Sequence, residues 1–320
     1  MSPGWRGDYE REMNHEIVQR AKQDISDYLV TSQASFHIQG REDQRHDVLV
    51  FPWRGPSLQV LYLDNQPASF RVRGAKHLLE GLKQLHDAIR LNDPADLNEG
   101  AVMWRIDSGC DLWSTSELYQ HLGRPCKIQI NEELGGGELV KPVQFPPNML
   151  QPDLHLGDFG HSIISGTVPR DPVQLPLQYC APERFHGSIQ SFASDMWSFT
   201  CLFCKLYIDT EVAYGDGRIF VSRLVGALGP FPPHWRGRYF DSDHPGHDWW
   251  YDETGQMPRT PILWGYETLE EKIDRLRPEI SPEERKLALE VFRKGFEYCP
   301  EKRITGDALC LQDNVCRSCS

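Results

Sequence analysis

A stretch from Leu154 to Tyr207 constrains the fold of this chain more than any other part of its sequence. It contains three short motifs in order: Asp158-Phe159-Gly160, Ala181-Pro182-Glu183 and Asp195-Met196-Trp197-Ser198. Asp-Phe-Gly alone is weak evidence, because any three-residue string occurs by chance in many chains. Here it follows a short apolar strand and is followed by Ala-Pro-Glu, and this combination is much more specific. The alternative interpretation is an ordinary strand, a turn at Gly160 and a proline-rich loop.

The order of these motifs resembles the activation segment of eukaryotic protein kinases. In that family the Asp of Asp-Phe-Gly holds Mg²⁺, and a regulatory loop precedes Ala-Pro-Glu. The resemblance implies an α+β fold of two lobes, ATP and Mg²⁺ as cofactors, and Asp158 as the metal-binding residue. It places a truncated small lobe at about residues 1–55 and a large, mainly helical lobe at about 56–320, with an insertion at about 107–152.

Composition narrows the class of protein further. Of the 320 residues, 39% are hydrophobic and 25% are charged, as in ordinary soluble globular proteins. No apolar run reaches the roughly 18 residues that a membrane span needs, and the polar N-terminus predicts no secretory signal. The net charge of −12 argues against direct binding of nucleic acid and permits a basic peptide partner.

The cysteines indicate an intracellular protein, either cytoplasmic or nuclear. Nine of them are scattered without a repeated spacing, which favours reduced thiols over a disulfide framework. Cys310, Cys316 and Cys319 crowd the C-terminus, but no fourth ligand is evident. A frayed tail is therefore a better interpretation of this segment than a metal site.

The pattern at the N-terminus predicts one helix and one buried strand. Residues 8–22 form an amphipathic pattern with Met13, Ile17, Val18 and Ala21 on one side and Glu16 mid-helix. Residues 46–51 form a buried-strand pattern, which a segment rich in proline and glycine ends.

In kinases, the strand before the hinge leads into such an irregular link, whose backbone groups bind adenine. The resemblance therefore implies that Phe51 guards the back of the nucleotide pocket and that Pro52, Trp53 and Arg54 form the hinge. It makes Glu16 the partner of the phosphate-binding lysine. An ordinary strand and turn, and a solvated Glu16, are the alternatives.

The segment after the predicted helix 75–90 corresponds to the catalytic loop of the family, His-Arg-Asp-Leu, three variable residues, then Asn. The resemblance places the catalytic aspartate at Asp96. Pro94 and Ala95 replace the His and Arg, Asn98 stands where a lysine is usual, and Ala101 replaces the metal-binding Asn. This is a serious departure from the family.

Further phrases resemble the SR-protein kinases of fungi, within and beyond the insertion. They are residues 114–125, residues 137–142 before Leu-Gly-Asp-Phe-Gly, and residues 228–239. Residues 298–305 resemble the segment that carries an arginine, here Arg303, which we expect to pair with Glu183. The resemblance implies ATP-dependent phosphorylation of Ser or Thr in an Arg/Ser-rich protein.

Several phosphate-binding features of the family have no counterpart in these residues. Before residue 50 the glycines do not form a G-x-G-x-x-G spacing, and Lys22 is the single lysine, on the predicted first helix. We therefore expect the small lobe to lack its first three strands and phosphoryl transfer to be weak or lost. The alternative function is that of a catalytically inactive pseudokinase, which binds a partner as a scaffold.

Overall fold

The computed structural model describes residues 5–21, 24–39, 45–59, 63, 66–88, 97–130, 136–162, 176–188, 191–238, 249–251 and 267–310. Nine helices occur in this part of the chain: α1 Trp5–Arg20, α2 Ala68–Ala88, α3 Thr115–Leu122, α4 Pro182–Phe185, α5 Phe192–Ile208, α6 Gly217–Leu228, α7 Leu269–Leu276, α8 Pro282–Gly295 and α9 Gly306–Cys310. The strands are β1 Ala34–Gln39, β2 Arg45–Val50, β3 Val102–Ile106, β4 Lys127–Ile130, β5 Gly137–Val140 and β6 Leu150–Leu156.

The strands of the described residues form three antiparallel pairs: β1 with β2, β3 with β6, and β4 with β5. In the central pair Val102 lies opposite Leu156 and Trp104 opposite Leu154, and a bulge follows Trp104. Because β6 ends at Leu156, its pairing with β3 fixes the position at which Asp-Phe-Gly leaves the sheet.

The hydrophobic core runs from this sheet through the helices. The long helix α2 packs against both β6 and α5, and α8 also packs against α5. Most of α5 is buried, including Trp197 and Tyr207, so it is a central helix with no solvent-facing stripe. Among the described residues, no helix is long and apolar enough to cross a membrane.

The predicted elements are present, with corrections in their bounds and burial. The strand predicted as buried over 46–51 is β2, but its side chains from His46 to Val50 are intermediate or exposed. Among the described residues β2 pairs with β1 alone, whose six residues are all exposed, so neither strand is covered by the core. The helix predicted over 8–22 is α1, which ends at Arg20, and the helix predicted over 75–90 belongs to α2, which begins at Ala68. Met13 and Ile17 are buried as expected, but Val18 is 46% exposed. The buried stripe is centred on the i, i+4 pair Met13 and Ile17, and Val18 is turned about 100° away from Ile17.

Candidate active site

Asp158 has an unusual backbone conformation, with φ 58° and ψ 60°. Of the described residues other than glycine, it shares a positive φ with Asp209 alone. The conformation of Asp209 has an ordinary explanation, because this residue ends α5 and its N–H donates to the Lys205 carbonyl at 2.8 Å. Asp158 ends no α-helix and its side chain is exposed. Asp and Asn adopt the left-handed conformation more readily than other side chains, and a left-handed residue away from a helix end is typical of functional sites.

The neighbours of Asp158 hold this conformation in place. On one side, the Gly157 N–H donates to the Ala101 carbonyl at 2.8 Å. A Cβ on Gly157 would lie 2.8 Å from Met103 Cε and 3.2 Å from Val30 Cβ, so the close approach favours glycine there. On the other side, Phe159 is 1% exposed and anchors the turn in the core.

Helix α1 lies over the same turn. The Tyr9 hydroxyl donates to the Ser162 carbonyl at 2.6 Å. The Glu10 carboxylate lies against Gly160, because a Cβ added to Gly160 would be 3.5 Å from Glu10 Oε2. Glu16, the predicted partner of the phosphate-binding lysine, instead pairs with Arg20 at 2.8 Å on a partly exposed part of the helix. The structure therefore brings Glu10, and not Glu16, to Asp-Phe-Gly.

The predicted hinge continues as a strand-like segment along β3. The Gly55 N–H donates to the Trp104 carbonyl at 2.8 Å, and the Leu58 N–H donates to the Val102 carbonyl at 2.9 Å. Since β3 also pairs with β6, the segment that follows residues 51–54 and the strand that leads to Asp158 lie on opposite sides of β3.

Within the predicted hinge, the four side chains differ in exposure. Phe51 and Trp53 are 37% and 38% exposed, whereas Pro52 and Arg54 are intermediate. The Arg54 guanidinium lies near the chain's own backbone, donating to the Trp53 carbonyl at 2.9 Å. The nucleotide-binding roles of these residues stay predictions.

Asp96, the predicted catalytic residue, lies outside the described residues, as do Pro94 and Ala95. The segment just after it is described. Leu97 and Ala101 are fully buried, and the Asn98 side chain accepts a hydrogen bond from the Gly100 N–H at 2.8 Å. The side chain at 101 is therefore a buried methyl group, which offers no oxygen to a metal ion.

A partly buried His–Asp contact joins the end of α2 to the start of α5. His86 Nε2 lies 2.9 Å from Asp195 Oδ2, and the imidazole stacks on Phe192 at 4.2 Å between ring centroids. This contact fixes the point where α2 leads into the segment that contains Asp96. Sequence reasoning noted the Asp195 motif but missed His86, for which the one available signal was its place near the end of a predicted helix.

The predicted pair between Glu183 and Arg303 is confirmed. The guanidinium holds the carboxylate through two parallel bonds of 2.7 and 2.8 Å, and the two side chains are at most 2% exposed. The same guanidinium donates to the carbonyls of Ala193, Glu297 and Tyr298, so four acceptor groups satisfy it. The pair ties the Ala-Pro-Glu motif to the loop before α9.

The carboxylate of Asp158 fits one Mg²⁺ ion that also binds a phosphate group of a substrate. In the described part of the chain, no group of three or more His, Cys, Asp or Glu side chains could hold a metal by itself. Mg²⁺ commonly binds through one or two carboxylates, with water and substrate phosphates completing its coordination. The single exposed carboxylate of Asp158 meets that minimum, whereas Ala101 supplies nothing.

No family model and no curated protein matches this sequence. Among solved structures, the chain is similar to the crystal structure of PF14_0431, a kinase domain, with a TM-score of 0.65 over 97% of this chain and 83% of that one. The two sequences are 15% identical, a level at which the likeness is evidence for the fold alone. The chain has a two-lobe, protein-kinase-like α+β fold with a helical majority.

Proposed function

We propose that this chain is a degenerate protein-kinase-like domain that binds Mg-ATP weakly. Its phosphoryl transfer to Ser or Thr of an Arg/Ser-rich protein is slow or lost. The observation that carries the proposal is Asp158, an exposed carboxylate held in a left-handed backbone conformation, where the fold and the Asp-Phe-Gly motif together call for a metal-binding group. Asp209 shares the conformation but has a helix end to explain it.

Each residue of the proposed site has a distinct role. Backbone groups of Pro52, Trp53 and Arg54 bind the adenine, with Phe51 behind it. Asp158 holds Mg²⁺, and Asp96 orients the acceptor hydroxyl. When Mg²⁺ is bound at Asp158, it would supply neutralisation of charge on the transferring phosphate.

Two internal substitutions argue that transfer is slow. Ala101 removes the second metal ligand of the family, and Asn98 removes a positive charge beside Asp96. In this reaction class, acceleration arises mainly from positioning and charge neutralisation, and a general base alone supplies about 10²–10⁴-fold. Asp96 cannot replace those lost groups.

The experiment is a comparison of Mg-ATP binding between two matched variants, Asp158→Asn and Asp209→Asn. Asparagine tolerates the left-handed conformation, so both variants keep the backbone and lose one carboxylate. We expect ATP to raise the melting temperature in a Mg²⁺-dependent way in the wild type and in Asp209→Asn, and not in Asp158→Asn. An equal shift in Asp158→Asn, or a shift that does not need Mg²⁺, would contradict the proposed site.

The second candidate function is a binding scaffold, favoured by the buried methyl group of Ala101. A radiolabelled-phosphate assay with an Arg/Ser-rich substrate separates the two functions. Robust turnover that Asp158→Asn abolishes would identify a working kinase and contradict the impairment. Substrate binding without turnover would favour the scaffold.

A further inference from the structure

The insertion at 107–152 carries a large share of exposed apolar surface. Helix α3 has no buried residue, and β4 and β5 are exposed along almost their whole length. The exposed large apolar residues of this insertion are Leu112, Tyr119, Ile128, Leu139, Val140 and Val143. Grouped apolar exposure of this kind is typical of surfaces that bind a partner.

A cleft lies where the insertion meets the predicted hinge. We call it the insertion cleft and define it by Trp53, the α3 residues Leu118, Tyr119 and Leu122, and the segments 123–126 and 141–144. Its volume is about 310 Å³, at the lower end of the range of ligand sites. The two segments are joined by a hydrogen bond from the Lys141 N–H to the Cys126 carbonyl at 2.8 Å. Trp53 packs on buried Phe145 at 5.8 Å between ring centroids.

Two cations line this cleft, Arg124 and Lys141. The carboxylates nearest in sequence are already engaged elsewhere. Glu138 accepts from Lys127 at 2.6 Å, and hydrogen bonds from Ser114 lower the pKa of Glu117, which caps α3. The guanidinium of Arg124 lies over the Tyr119 ring at 5.4 Å. Within the described residues, neither cation forms an ion pair.

From the apolar and aromatic lining and the two cations, we propose that the insertion cleft binds a peptide segment of a partner protein. In this segment an acidic side chain lies beside a large apolar one. Trp53 and Tyr119 supply aromatic surface for the apolar side chain, and Trp, Tyr and Arg are the residues that contribute most at protein interfaces. Arg124 and Lys141 supply the positive charge that a carboxylate needs, and Arg can hold a carboxylate through two bonds.

A protein segment fits this surface better than a small molecule does. The exposed apolar residues of the β4–β5 pair, such as Ile128 and Leu139, do not line the cleft. The apolar surface therefore extends beyond a site for one small ligand. An extended segment can fill the cleft with one side chain and cover the neighbouring surface with others. The proposed occupant is acidic, so this site is separate from any site for an Arg/Ser-rich substrate.

The test uses a short fluorescein-labelled peptide with the core Phe-Glu-Glu-Leu between Gly-Ser flanks, titrated with the full chain at low and high salt. We expect binding that weakens as salt rises, and a peptide with Gln in place of Glu to bind at least about tenfold more weakly. Arg124→Glu with Lys141→Glu should weaken binding of the Glu peptide by a similar factor. The matched control, Lys127→Glu, reverses a cation that already has a partner and should change the affinity less than about twofold.

Cys126 offers a readout at the site itself, because it lines the cleft and is exposed. Bound peptide should slow its alkylation by iodoacetamide, measured by mass spectrometry at that residue. Lack of binding at low salt, equal binding of the Gln peptide, an equal loss in Lys127→Glu, or unchanged alkylation of Cys126 at saturating peptide would each overturn the proposal. None of these measurements uses ATP, so their failure would not contradict the proposed Mg-ATP site, which the melting-temperature experiment tests separately.

Discussion

Buried charged and titratable side chains in this chain differ in how completely they are satisfied. Arg303 and Glu183 satisfy each other, and backbone carbonyls accept the remaining guanidinium protons. His155 is also buried, at 1% exposure, but its Nδ1 has no hydrogen-bond partner among the described residues. A buried polar group is costly unless it is paired, so each of these side chains makes a specific prediction about stability.

Arg303→Ala should lower the free energy of unfolding by about 3–5 kcal/mol, because it leaves the Glu183 carboxylate buried without its partner. The measurement is denaturant unfolding beside Arg293→Ala, whose pair with Glu270 is 68% and 43% exposed. An exposed pair contributes about 0–1 kcal/mol. Similar losses in the two variants would show that the buried pair is not a major support of the fold.

His155 should make the protein less stable as the pH falls below about 6.5. Burial, with the positive charges of Arg54, His77 and Arg105 nearby, lowers the pKa of His155 from 6.5 to about 3. Between those values the unfolded chain binds a proton that the folded chain does not, so this contribution to stability is present above pH 6.5 and is lost toward pH 3.

The expected slope is about 1.4 kcal/mol per pH unit for one histidine. Unfolding free energies measured at pH 6 and pH 5 should therefore fall more in the wild type than in His155→Phe, by about that amount. The exposed His234→Phe serves as the control and should keep the wild-type dependence. A wild-type slope in His155→Phe would refute the assignment.

At the scale of elements, α5 and α8 lie so close together that position 295 has no room for a side chain. A Cβ on Gly295 would lie 2.3 Å from Thr200 Oγ1 and 3.0 Å from Thr200 Cβ. Thr200 is itself fixed, because its hydroxyl donates to the Met196 carbonyl at 2.6 Å. Gly295 is the last residue of α8, and the space left by Thr200 has no room for a side chain there, so the packing of the two helices favours glycine.

Gly295→Ala should therefore destabilise the protein although alanine is the better helix former. Overpacking typically costs about 1–3 kcal/mol, whereas the gain in helix propensity is less than the roughly 1 kcal/mol of a helix interior, because Gly295 is the last residue of α8. The control is Gly306→Ala, where the nearest atom to an added Cβ is 3.9 Å away. The measurement is the melting temperature of both variants. A higher melting temperature for Gly295→Ala would show that α5 and α8 can move apart easily.

On the scale of the whole molecule, charge is the property that bears on partners. The net charge of −12 belongs to the full sequence, and five of its acidic residues lie close together along the chain: Asp241, Asp243, Asp248, Asp252 and Glu253. These five residues lie outside the described residues, so their contribution stays a prediction. A merely solvated acidic loop is the alternative.

An Arg-Ser repeat peptide should bind the chain at low salt and weaken steeply as salt rises, since screening shortens the reach of charge from about 10 Å at 0.1 M to about 3 Å at 1 M. Fluorescence anisotropy with an Arg-Ser peptide and a Glu-Ser control measures this. Replacing the acidic run with Asn and Gln should reduce the affinity severalfold. Lack of binding to the Arg-Ser peptide at low ionic strength would end the idea.

The features that the sequence alone determined are those whose signals are local or belong to a rigid motif. The string Ser281-Pro282-Glu283-Glu284 is a local signal for the start of a helix. Ser281 does cap α8, since its hydroxyl accepts from the Glu284 N–H at 3.1 Å, within one turn of the chain. The strand, Asp-Phe-Gly and Ala-Pro-Glu pattern was sufficient for the fold class, and it also predicted the Glu183–Arg303 pair through the resemblance.

The tertiary structure alone decided which distant groups meet. Glu10 rather than Glu16 lies at Gly160, and His86 meets Asp195, because helices separated by many residues pack in one particular rotation. The insertion cleft likewise brings Trp53 to residues more than sixty positions away. Caps and hydrophobic periodicity depend on near neighbours in the chain, whereas these contacts depend on how whole elements fill a common core, which no local pattern encodes.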